Sequence, residues 1–413
     1  MKNNRADCEE MVGKEHGMSD ELVGFSEELA DFVFAHLHDD VNRLLLDGHK
    51  YPQIDMKMAV QQIAARQIVK DKLPEWSACR ELMFPVHLSL EQASSEITAR
   101  WKSRLCSGMS MVDLTGGLGV DCHYLSYGFE KTTYVERQSE LCRLARHNYR
   151  VLNRPIEVVH ADASDYLLQM SACDLIFIDP ARRDCRGRKT VLLEDCTPDL
   201  TQIKELLLSK AKQVLVKLSP MLDLSMALRR LPETKRAYLL SVKNECKELL
   251  LVLESGYTGE PEICAVNIQR EGEQLFRFKG SEERNAVAES ADGVEKYLYE
   301  PNASLMKAGP FKLLSQRFGI RKLHPNTQLY TASEPIDTFP GRVFEILKTA
   351  TLNKKTAKQM LQGITQANVA VRNFPLSAQE LQKRFGLKDG GEYYLFGVTT
   401  CKEKMLLLTR KRV

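Results

Sequence analysis

The sequence predicts an α/β protein built on a doubly wound sheet of seven mainly parallel strands, with helices before it and a small α/β module after it. Three observations support this prediction. A short apolar strand ending at Asp113 leads into a glycine-rich turn and then into a helical pattern. Further apolar runs of strand length end in a polar residue, as they do in open parallel sheets. Beyond residue 336, strand and helix patterns alternate regularly.

The chain is predicted to begin with a helical domain over residues 1–88. Apolar residues recur at helical spacing in Leu22–Leu46 and in Ile54–Val69. A further helix is predicted from Leu88 to Lys102, directly before the first strand. Ser89 can cap this helix, and Gln92 stands at the capping-box position three residues later.

The glycine turn is the most specific motif of the chain. Gly116, Gly117 and Gly119 follow the strand that ends at Asp113. Glycine tolerates positive φ angles and lets backbone N–H groups approach a ligand closely, so the turn predicts a site for a nucleotide-type cofactor. Cys122 stands where a dinucleotide fingerprint needs its third glycine, and the Gly-Lys-Ser/Thr of a phosphate loop is missing.

Acidic residues follow several predicted strands of the domain over residues 89–280. Glu136 lies 23 residues after Asp113, near the spacing at which an acid meets a ribose in such folds. Asp162 follows the third strand, and Asp179 ends the fourth. The strands after the glycine turn are predicted at Lys131–Glu136, Ile156–His160, Asp174–Asp179, Gln213–Leu218, Ala237–Val242 and Leu249–Leu253, with an edge hairpin over 263–278. Ligands of open α/β sheets bind at the edge where such residues collect.

The C-terminal part is predicted to consist of two modules. Residues 281–335 form a small linker or ferredoxin-like module, which follows a charged stretch over 280–293 that has the composition of a linker. Residues 336–413 carry the alternating pattern, which predicts a compact βαβαββ domain with basic helices.

Charge is distributed unevenly along the chain, although the net formal charge is only +3. Residues 301–413 contain 19 Lys and Arg against 7 Asp and Glu, whereas residues 1–300 contain 39 against 48. A basic module on an acidic body is expected of a protein that holds a polyanion at one end.

Composition also bears on location and on metals. No apolar run approaches the length of a membrane helix, and the polar N-terminus has no apolar stretch of an export signal. The eleven cysteines stand singly, without a Cys-x-x-Cys pair. These features predict a cytoplasmic protein with reduced thiols, no membrane partner and no metal site.

The motifs together resemble those of a known family. The pattern Asp-x-x-x-Gly-x-Gly from Asp113 resembles motif I of the class I S-adenosylmethionine (SAM) methyltransferases, which usually have a further glycine where Thr115 stands. The C-terminal module resembles the THUMP-like domain of a bacterial, Bacteroidetes-type group of these enzymes. The likeness covers most of the chain, through the motifs Glu91–Glu96, Asp113–Gly119, Asp179–Arg182 and Arg372–Leu376.

The resemblance implies a Rossmann-like methyltransferase sheet, SAM as cofactor and RNA as partner, a tRNA or an rRNA. It also implies roles for individual residues. Asp162 would bind the adenine amino group, and Gln92 and Ser95 belong to a leading helix that often closes over the cofactor. The candidate cofactor-binding residues are Asp113, Thr115, Gly116, Gly117, Gly119, Asp121, Glu136, Asp162, Ala163, Gln92 and Ser95.

The residues after the fourth strand bear on the methylated atom. Amine methyltransferases of nucleic acids carry Asp/Asn-Pro-Pro and then an aromatic residue at this place. Asp179 and Pro180 match the first half of this motif, but Ala181 and Arg182 follow, so the aromatic ring is missing. Uracil-C5 chemistry is rejected, because that class needs a cysteine just after the fifth strand, where Ser219 and Pro220 stand.

Ribose 2′-O methylation stays open beside amine methylation. Lys102, Asp179, Lys217 and Glu248 occupy plausible places for the Lys-Asp-Lys-Glu set that can deprotonate a hydroxyl. The candidate catalytic residues are therefore Asp179, Pro180, Arg182 and Lys217. Two alternatives remain, a methyltransferase of a protein or small molecule and a non-catalytic protein that binds SAM and RNA.

Overall fold

The computed structural model of the chain describes residues 25–85, 90, 92–182 and 193–412. It divides into two compact units. The first contains the residues up to Arg104 together with Gly116–Asp162, and the second contains Leu105–Thr115 together with the chain from Ala163 onward. The first strand, β1 (Gly108–Asp113), therefore belongs to the second unit. The predicted cap Ser89 lies outside the described residues.

Among the described residues, the first unit begins with helices, in the part of the chain where the sequence predicts them. Short polar residues cap three of them, because a side-chain oxygen of Ser26, Asp40 or Asp55 accepts a backbone N–H of the first turn. The helices before β1 are α1 (Glu27–Ala35), α2 (Val41–Leu46), α3 (Met56–Val69), α4 (Pro74–Ala78) and α5 (Glu96–Lys102).

The prediction of one helix from residue 88 to residue 102 is wrong. Leu90 and Gln92 are helical, but residues 93–95 are not, so the helix is interrupted and α5 begins at Glu96. The Ser95 hydroxyl accepts the backbone N–H of Thr98 at 3.2 Å and so caps the helix at this later position. Two neighbouring serines, Ser94 and Ser95, offered the same capping chemistry as Ser89, and the spacing alone did not distinguish them.

The rest of the first unit follows the glycine turn. It consists of α6 (Val120–Leu125), β2 (Phe129–Glu136), α7 (Ser139–Val151) and β3 (Ile156–His160). The two strands are parallel, in register from Thr132 opposite Ile156 to Glu136 opposite His160. The polar residue that ends each strand therefore lies at the same edge, as the sequence predicted.

The second unit contains a large sheet with helices between its strands. Its strands after β1 are β4 (Cys173–Ile178), β7 (Ala211–Leu218), β8 (Thr234–Val242), β9 (Glu245–Glu254), β10 (Glu262–Gln269) and β11 (Gly272–Lys279), and a separate short pair is β5 (Ala181–Arg182) with β6 (Cys196–Thr197). Its helices are α8 (Ala163–Gln169), α9 (Leu200–Lys210) and α10 (Leu224–Arg230).

Within this unit the large sheet has the order β11-β10-β8-β9-β7-β4-β1. Strands β1, β4 and β7 are parallel, whereas β9 runs antiparallel to both of its neighbours, β7 and β8. The predicted α/β class with a mainly parallel sheet is confirmed, and the predicted edge hairpin is the pair β10 and β11.

The predicted linker over residues 280–293 is partly helical. Helix α11 (Gly280–Asn285) begins directly after β11, and the Glu282 carboxylate accepts the backbone N–H of Lys279 at 2.7 Å. This is the glutamate half of a capping box, and it explains why a charged, serine-containing stretch forms a helix here.

A second sheet of the same unit joins the two predicted C-terminal modules. It has the order β13-β14-β12-β15-β18-β17-β16, and β12 pairs antiparallel with β15. The elements are β12 (Tyr297–Pro301), α12 (Ala303–Ala308), α13 (Phe311–Phe318), β13 (Arg321–His324), β14 (Thr327–Ala332), β15 (Gly341–Thr351), α14 (Lys354–Met360), β16 (Asn368–Arg372), α15 (Ala378–Phe385), β17 (Tyr393–Thr399) and β18 (Lys404–Lys411). The alternation predicted beyond residue 336 is confirmed.

Helix α12 fastens this second sheet to the large sheet. The Ser304 hydroxyl is buried and lies 2.7 Å from the Ser241 hydroxyl of β8 and 2.5 Å from the Val266 carbonyl of β10. The Asn302 side chain donates to Gln274 of β11 at 3.0 Å. Because the hydrogen bonds of Ser304 are buried, little solvent competes with them, and they fix α12 to the large sheet.

Two further properties concern the whole described chain. Among the described residues, no helix is both long enough and apolar enough to cross a membrane. The cysteines within the described ranges are all free thiols, and most of them are buried.

Candidate functional site

The carboxyl ends of β1, β4 and β7 meet at one edge of the large sheet. Asp113 at the end of β1 is in register with Phe177 of β4, and Ile178 of β4 is in register with Val216 of β7. The next residue along β4 and β7 is Asp179 and Lys217, respectively. Parallel pairing therefore brings together three residues that are far apart in the sequence.

A chain of hydrogen bonds links these strand ends. Asp113 accepts the backbone N–H of Thr115 at 2.9 Å, and the Thr115 hydroxyl accepts the backbone N–H of Asp179 at 2.7 Å. The Lys217 ammonium lies 2.5 Å from the Asp179 carboxylate. We call these four residues, Asp113, Thr115, Asp179 and Lys217, the strand-end cluster.

Burial within the strand-end cluster falls from Asp113 to Asp179. Asp113 is 1% exposed, and the Lys217 side chain is 11% exposed, whereas the Asp179 side chain is 35% exposed. Asp179 is thus the most accessible member of the cluster. Its ion pair with Lys217 holds its carboxylate in place.

The other residues of the second unit that were predicted from sequence lie around this edge. Pro180 is buried, and Arg182 lies in β5, opposite Cys196. Ala163 begins α8, and Glu248 is a buried residue of β9, 4% exposed. The catalytic roles of Asp179, Pro180, Arg182 and Lys217 stay predictions.

The glycine turn lies in the first unit and needs glycine for two different reasons. Gly117 and Gly119 have φ angles of +56° and +84°, a region that side chains other than glycine rarely adopt. Gly116 instead lies against the Tyr134 ring, since a Cβ at this position would come within 2.1 Å of a ring carbon. A Cβ at Gly119 would also come within 2.3 Å of the Tyr149 hydroxyl.

Side chains from β2 and α7 hold the turn in place. The Tyr134 hydroxyl donates to the Gly117 carbonyl at 2.6 Å, and the Tyr149 hydroxyl donates to the Gly119 carbonyl at 3.1 Å. Glu136 accepts the Gly117 N–H at 3.0 Å. The turn is therefore preorganised, with its backbone fixed before any ligand binds.

Asp121, in the first turn of α6, belongs to a buried polar group of the first unit. Lys102 is completely buried and lies 2.9 Å from one Asp121 oxygen, while the Ser94 hydroxyl donates to the other oxygen at 2.6 Å. This pairing compensates the burial of both charges. Lys102, considered above as a member of a proton-abstracting set, is thus a buried partner of Asp121.

The remaining predicted cofactor contacts are spread over the first unit. Glu136 is 8% exposed, and its two carboxylate oxygens accept the N–H groups of Gly117 and Gln138. Asp162 and Gln92 are exposed, and Ser95 is occupied as the cap of α5. Their contacts with a cofactor stay predictions.

His123 of α6 is a buried group that sequence reasoning missed. Its ring packs against Trp76 and Tyr124, with centroids 5.7 and 4.8 Å away, and it is 4% exposed. Burial, with smaller contributions from Arg154 and Arg100, lowers the pKa of His123 to about 4. Protonation of His123 therefore opposes folding.

The pKa of His123 predicts a pH dependence of stability. Because the folded pKa lies below the unfolded value of 6.5, this stability is present above pH 6.5 and is lost as the pH falls toward 4. The loss amounts to about 3 kcal/mol. Thermal unfolding of the wild type and of His123→Phe between pH 7 and pH 4 measures it. A variant curve as steep as that of the wild type would assign the acid sensitivity to other groups.

Two residues that hold the turn, Tyr134 and Tyr149, were not identified from the sequence. They occur in ordinary strand and helix patterns. Thr115 stood out as a polar residue where the motif usually has a glycine, but its contact with Asp179 was not predicted.

Comparison with solved structures identifies the class of this protein. A proposed methyltransferase from Porphyromonas gingivalis W83 has 35% sequence identity to the chain and a TM-score of 0.86, and the match covers 94% of this chain and 98% of that one. Residues 297–340 match a family described as a ferredoxin-like domain, and residues 341–411 match a family described as THUMP domain-like.

The chain belongs to the family of the P. gingivalis protein, the class I SAM-dependent methyltransferases with a C-terminal THUMP-like domain. The cofactor of this class is SAM, as the glycine turn predicted. No curated protein matches the sequence.

Other solved structures match the chain much more weakly. A proposed class I SAM-dependent methyltransferase from Listeria monocytogenes has 12% identity and a TM-score of 0.37, covering 59% of this chain and 93% of that one. An rRNA methylase from Streptococcus thermophilus has 13% identity and a TM-score of 0.29, covering 38% and 94%. Similarities this low support no argument about the substrate.

Proposed function

We propose that this protein is an active enzyme that transfers a methyl group from SAM to RNA, at an exocyclic amine or a ribose 2′-hydroxyl. The observation that carries the proposal is the placement of Asp179, which is half-exposed at the carboxyl edge of the sheet and paired with Lys217 at 2.5 Å. A carboxylate fixed in this way can accept a hydrogen bond from the nucleophile and orient its lone pair.

The first unit contains the groups that would hold the cofactor. The backbone of Gly116, Gly117 and Gly119 can approach a ligand closely, and the Glu136 carboxylate can accept hydrogen bonds from ribose hydroxyls. SAM supplies an activated methyl group when bound. These groups suit SAM because a carboxylate that can accept hydrogen bonds from hydroxyl groups lies next to a turn of glycines. The Glu136 carboxylate is 3.0 Å from the Gly117 nitrogen.

The strand-end cluster of the second unit would act on the acceptor. Asp179 would accept the N–H or O–H of the attacking group and take up its proton as the new bond forms. Lys217 would keep the carboxylate in one orientation and balance its charge. A hydrogen-bonding carboxylate beside an ammonium serves an amine and a hydroxyl equally well, so both acceptors belong to the proposal.

RNA as the acceptor is supported by the C-terminal module. Helices α14 and α15 bury Ala357, Met360 and Leu381 in one apolar cluster and leave their basic residues exposed. The exposed cations of these two helices are Lys354, Lys355, Lys358, Lys383 and Arg384. Lysine and arginine on an outward helix face attract phosphate groups and displace their counterions.

A charge variant tests this role of the helices. The triple variant Lys354→Gln, Lys355→Gln, Lys358→Gln is expected to weaken RNA binding by about tenfold or more and to reduce the salt slope by about 2. Filter binding at several salt concentrations measures both quantities. Three exposed lysines of the first unit, Lys57, Lys70 and Lys131, provide the matched control when changed to Gln. Equal losses in both triple variants would contradict a specific role of α14.

The experiment that tests the proposed function compares RNA from cells with and without the gene. Mass spectrometry of digested tRNA and rRNA should find one methylated nucleoside missing in the deletion strain. A wild-type copy should restore it, and an Asp179→Asn copy should not. An unchanged set of methylated nucleosides in the deletion strain would contradict RNA as the substrate and favour a protein or small-molecule acceptor.

A further inference from the structure

Thr115 occupies an unusual place between the two acids of the strand-end cluster. Its backbone N–H donates to Asp113 at 2.9 Å, and its hydroxyl accepts the backbone N–H of Asp179 at 2.7 Å. Both contacts lie within the second unit. One residue thus ties the end of β1 to the residue that follows the end of β4.

The backbone at Asp179 is the point where the ladder of β4 ends. Ile178 is the last residue of the strand, and it is in register with Val216 of β7. Pro180 follows and has no N–H, so Asp179 supplies the last backbone donor before the chain leaves the sheet. The Thr115 hydroxyl takes up this donor.

We propose that Thr115 is a positioning residue, which fixes the backbone of Asp179 through its hydroxyl and so aims the Asp179 carboxylate at the acceptor. The proposal rests on the proposed function and deepens it. Three restraints then converge on Asp179: the Thr115 hydroxyl on its N–H, the Lys217 ammonium on its carboxylate, and Pro180 on its φ and ψ angles.

The geometry explains why a hydroxyl, and not merely bulk, is needed at position 115. A β-branched side chain without the hydroxyl fills nearly the same volume but leaves the Asp179 N–H without this acceptor. A serine keeps the acceptor and loses a methyl group. The pair Thr115→Val and Thr115→Ser therefore separates hydrogen bonding from packing.

The kinetic test compares these two variants in the full chain. Thr115→Val is expected to lower kcat for methyl transfer by about 10- to 100-fold, because a small displacement of a catalytic group has effects of this size. The proposal replaces the cofactor contact predicted for Thr115 from the sequence, because its N–H and its hydroxyl are both engaged within the cluster. The Kd of Thr115→Val for SAM, measured by calorimetry, should therefore stay within about threefold of the wild type, and Thr115→Ser should retain most of kcat. An unchanged kcat in Thr115→Val, an equal loss in Thr115→Ser, or a loss of SAM affinity that matches the loss of kcat would overturn the proposal.

A second measurement does not depend on methyl transfer, so it separates the proposed role of Thr115 from the proposed methylation of RNA. Hydrogen exchange of the Asp179 amide, followed by NMR, should be at least about tenfold slower in the wild type and in Thr115→Ser than in Thr115→Val. If the wild type transfers no methyl group to RNA, the proposed function fails while this measurement still stands. Equal exchange rates in all three proteins would overturn the role of Thr115 whatever the substrate.

Discussion

Asp179→Asn is expected to lower kcat for methyl transfer by about 10²- to 10⁴-fold, the range found for a positioned general base. The substitution keeps the size of the side chain and a carbonyl oxygen near Lys217, but it removes the negative charge that accepts the proton. The Kd for SAM should stay within about threefold of the wild type, since the cofactor groups proposed above are the glycine turn and Glu136. Transfer of labelled methyl groups measures kcat, and calorimetry measures Kd.

The chain contains a matched control for this prediction. Asp174 lies at the opposite end of β4 and pairs with Lys212 of β7 at 2.6 Å, so the same two strands carry a second aspartate–lysine pair. Asp174 also accepts the backbone N–H groups of Met109 and Ser110. Asp174→Asn should therefore cost some stability and leave kcat within about threefold, as expected for a site remote from catalysis. Equal kcat values for the two variants would remove Asp179 from the mechanism.

Gly116→Ala is expected to raise the Kd for SAM by about 100-fold or more. The added Cβ would come within 2.1 Å of the Tyr134 ring, so either the ring or the turn must move. The Tyr134 hydroxyl also holds the Gly117 carbonyl at 2.6 Å, which couples any movement of the ring to the turn itself. A preorganised site loses affinity steeply when its supporting contacts are displaced. Calorimetric titration with SAM measures the change.

The control for this variant is a glycine with open space around it. Gly293 has no atom within 4 Å of an added Cβ, and Gly293→Ala should bind SAM as the wild type does. Far-UV circular dichroism should show that Gly116→Ala keeps its secondary structure. A folded Gly116→Ala protein with wild-type affinity for SAM would contradict the assignment of the cofactor to this turn.

Local patterns predicted much of the fold because they depend on neighbouring residues. The strand before Asp113, the three glycines and the alternation beyond residue 336 are readable from short windows. The start of α5 at Glu96 could not be predicted in this way, because two neighbouring serines compete as caps. The antiparallel course of β9 between β7 and β8 could not be predicted either, because it depends on pairing between distant segments.

The position of the candidate site was predictable where its residues stand at the ends of strands. Asp113, Asp179 and Lys217 were identified in this way, and parallel register explains why they meet. The contacts that fix them were not visible, since the hydrogen bond from Asp179 to Thr115 spans 64 positions of the chain. The burial of Lys102 with Asp121 likewise depends on tertiary packing, which spacing does not encode.

We propose above that the substrate of this SAM-dependent methyltransferase is RNA. The most direct test is transfer of labelled methyl groups from SAM by the purified full chain to RNA from cells that lack the gene. We expect label in one RNA species, lost on treatment with ribonuclease and absent with Asp179→Asn. Binding of SAM by calorimetry without any label in RNA would contradict RNA as the substrate.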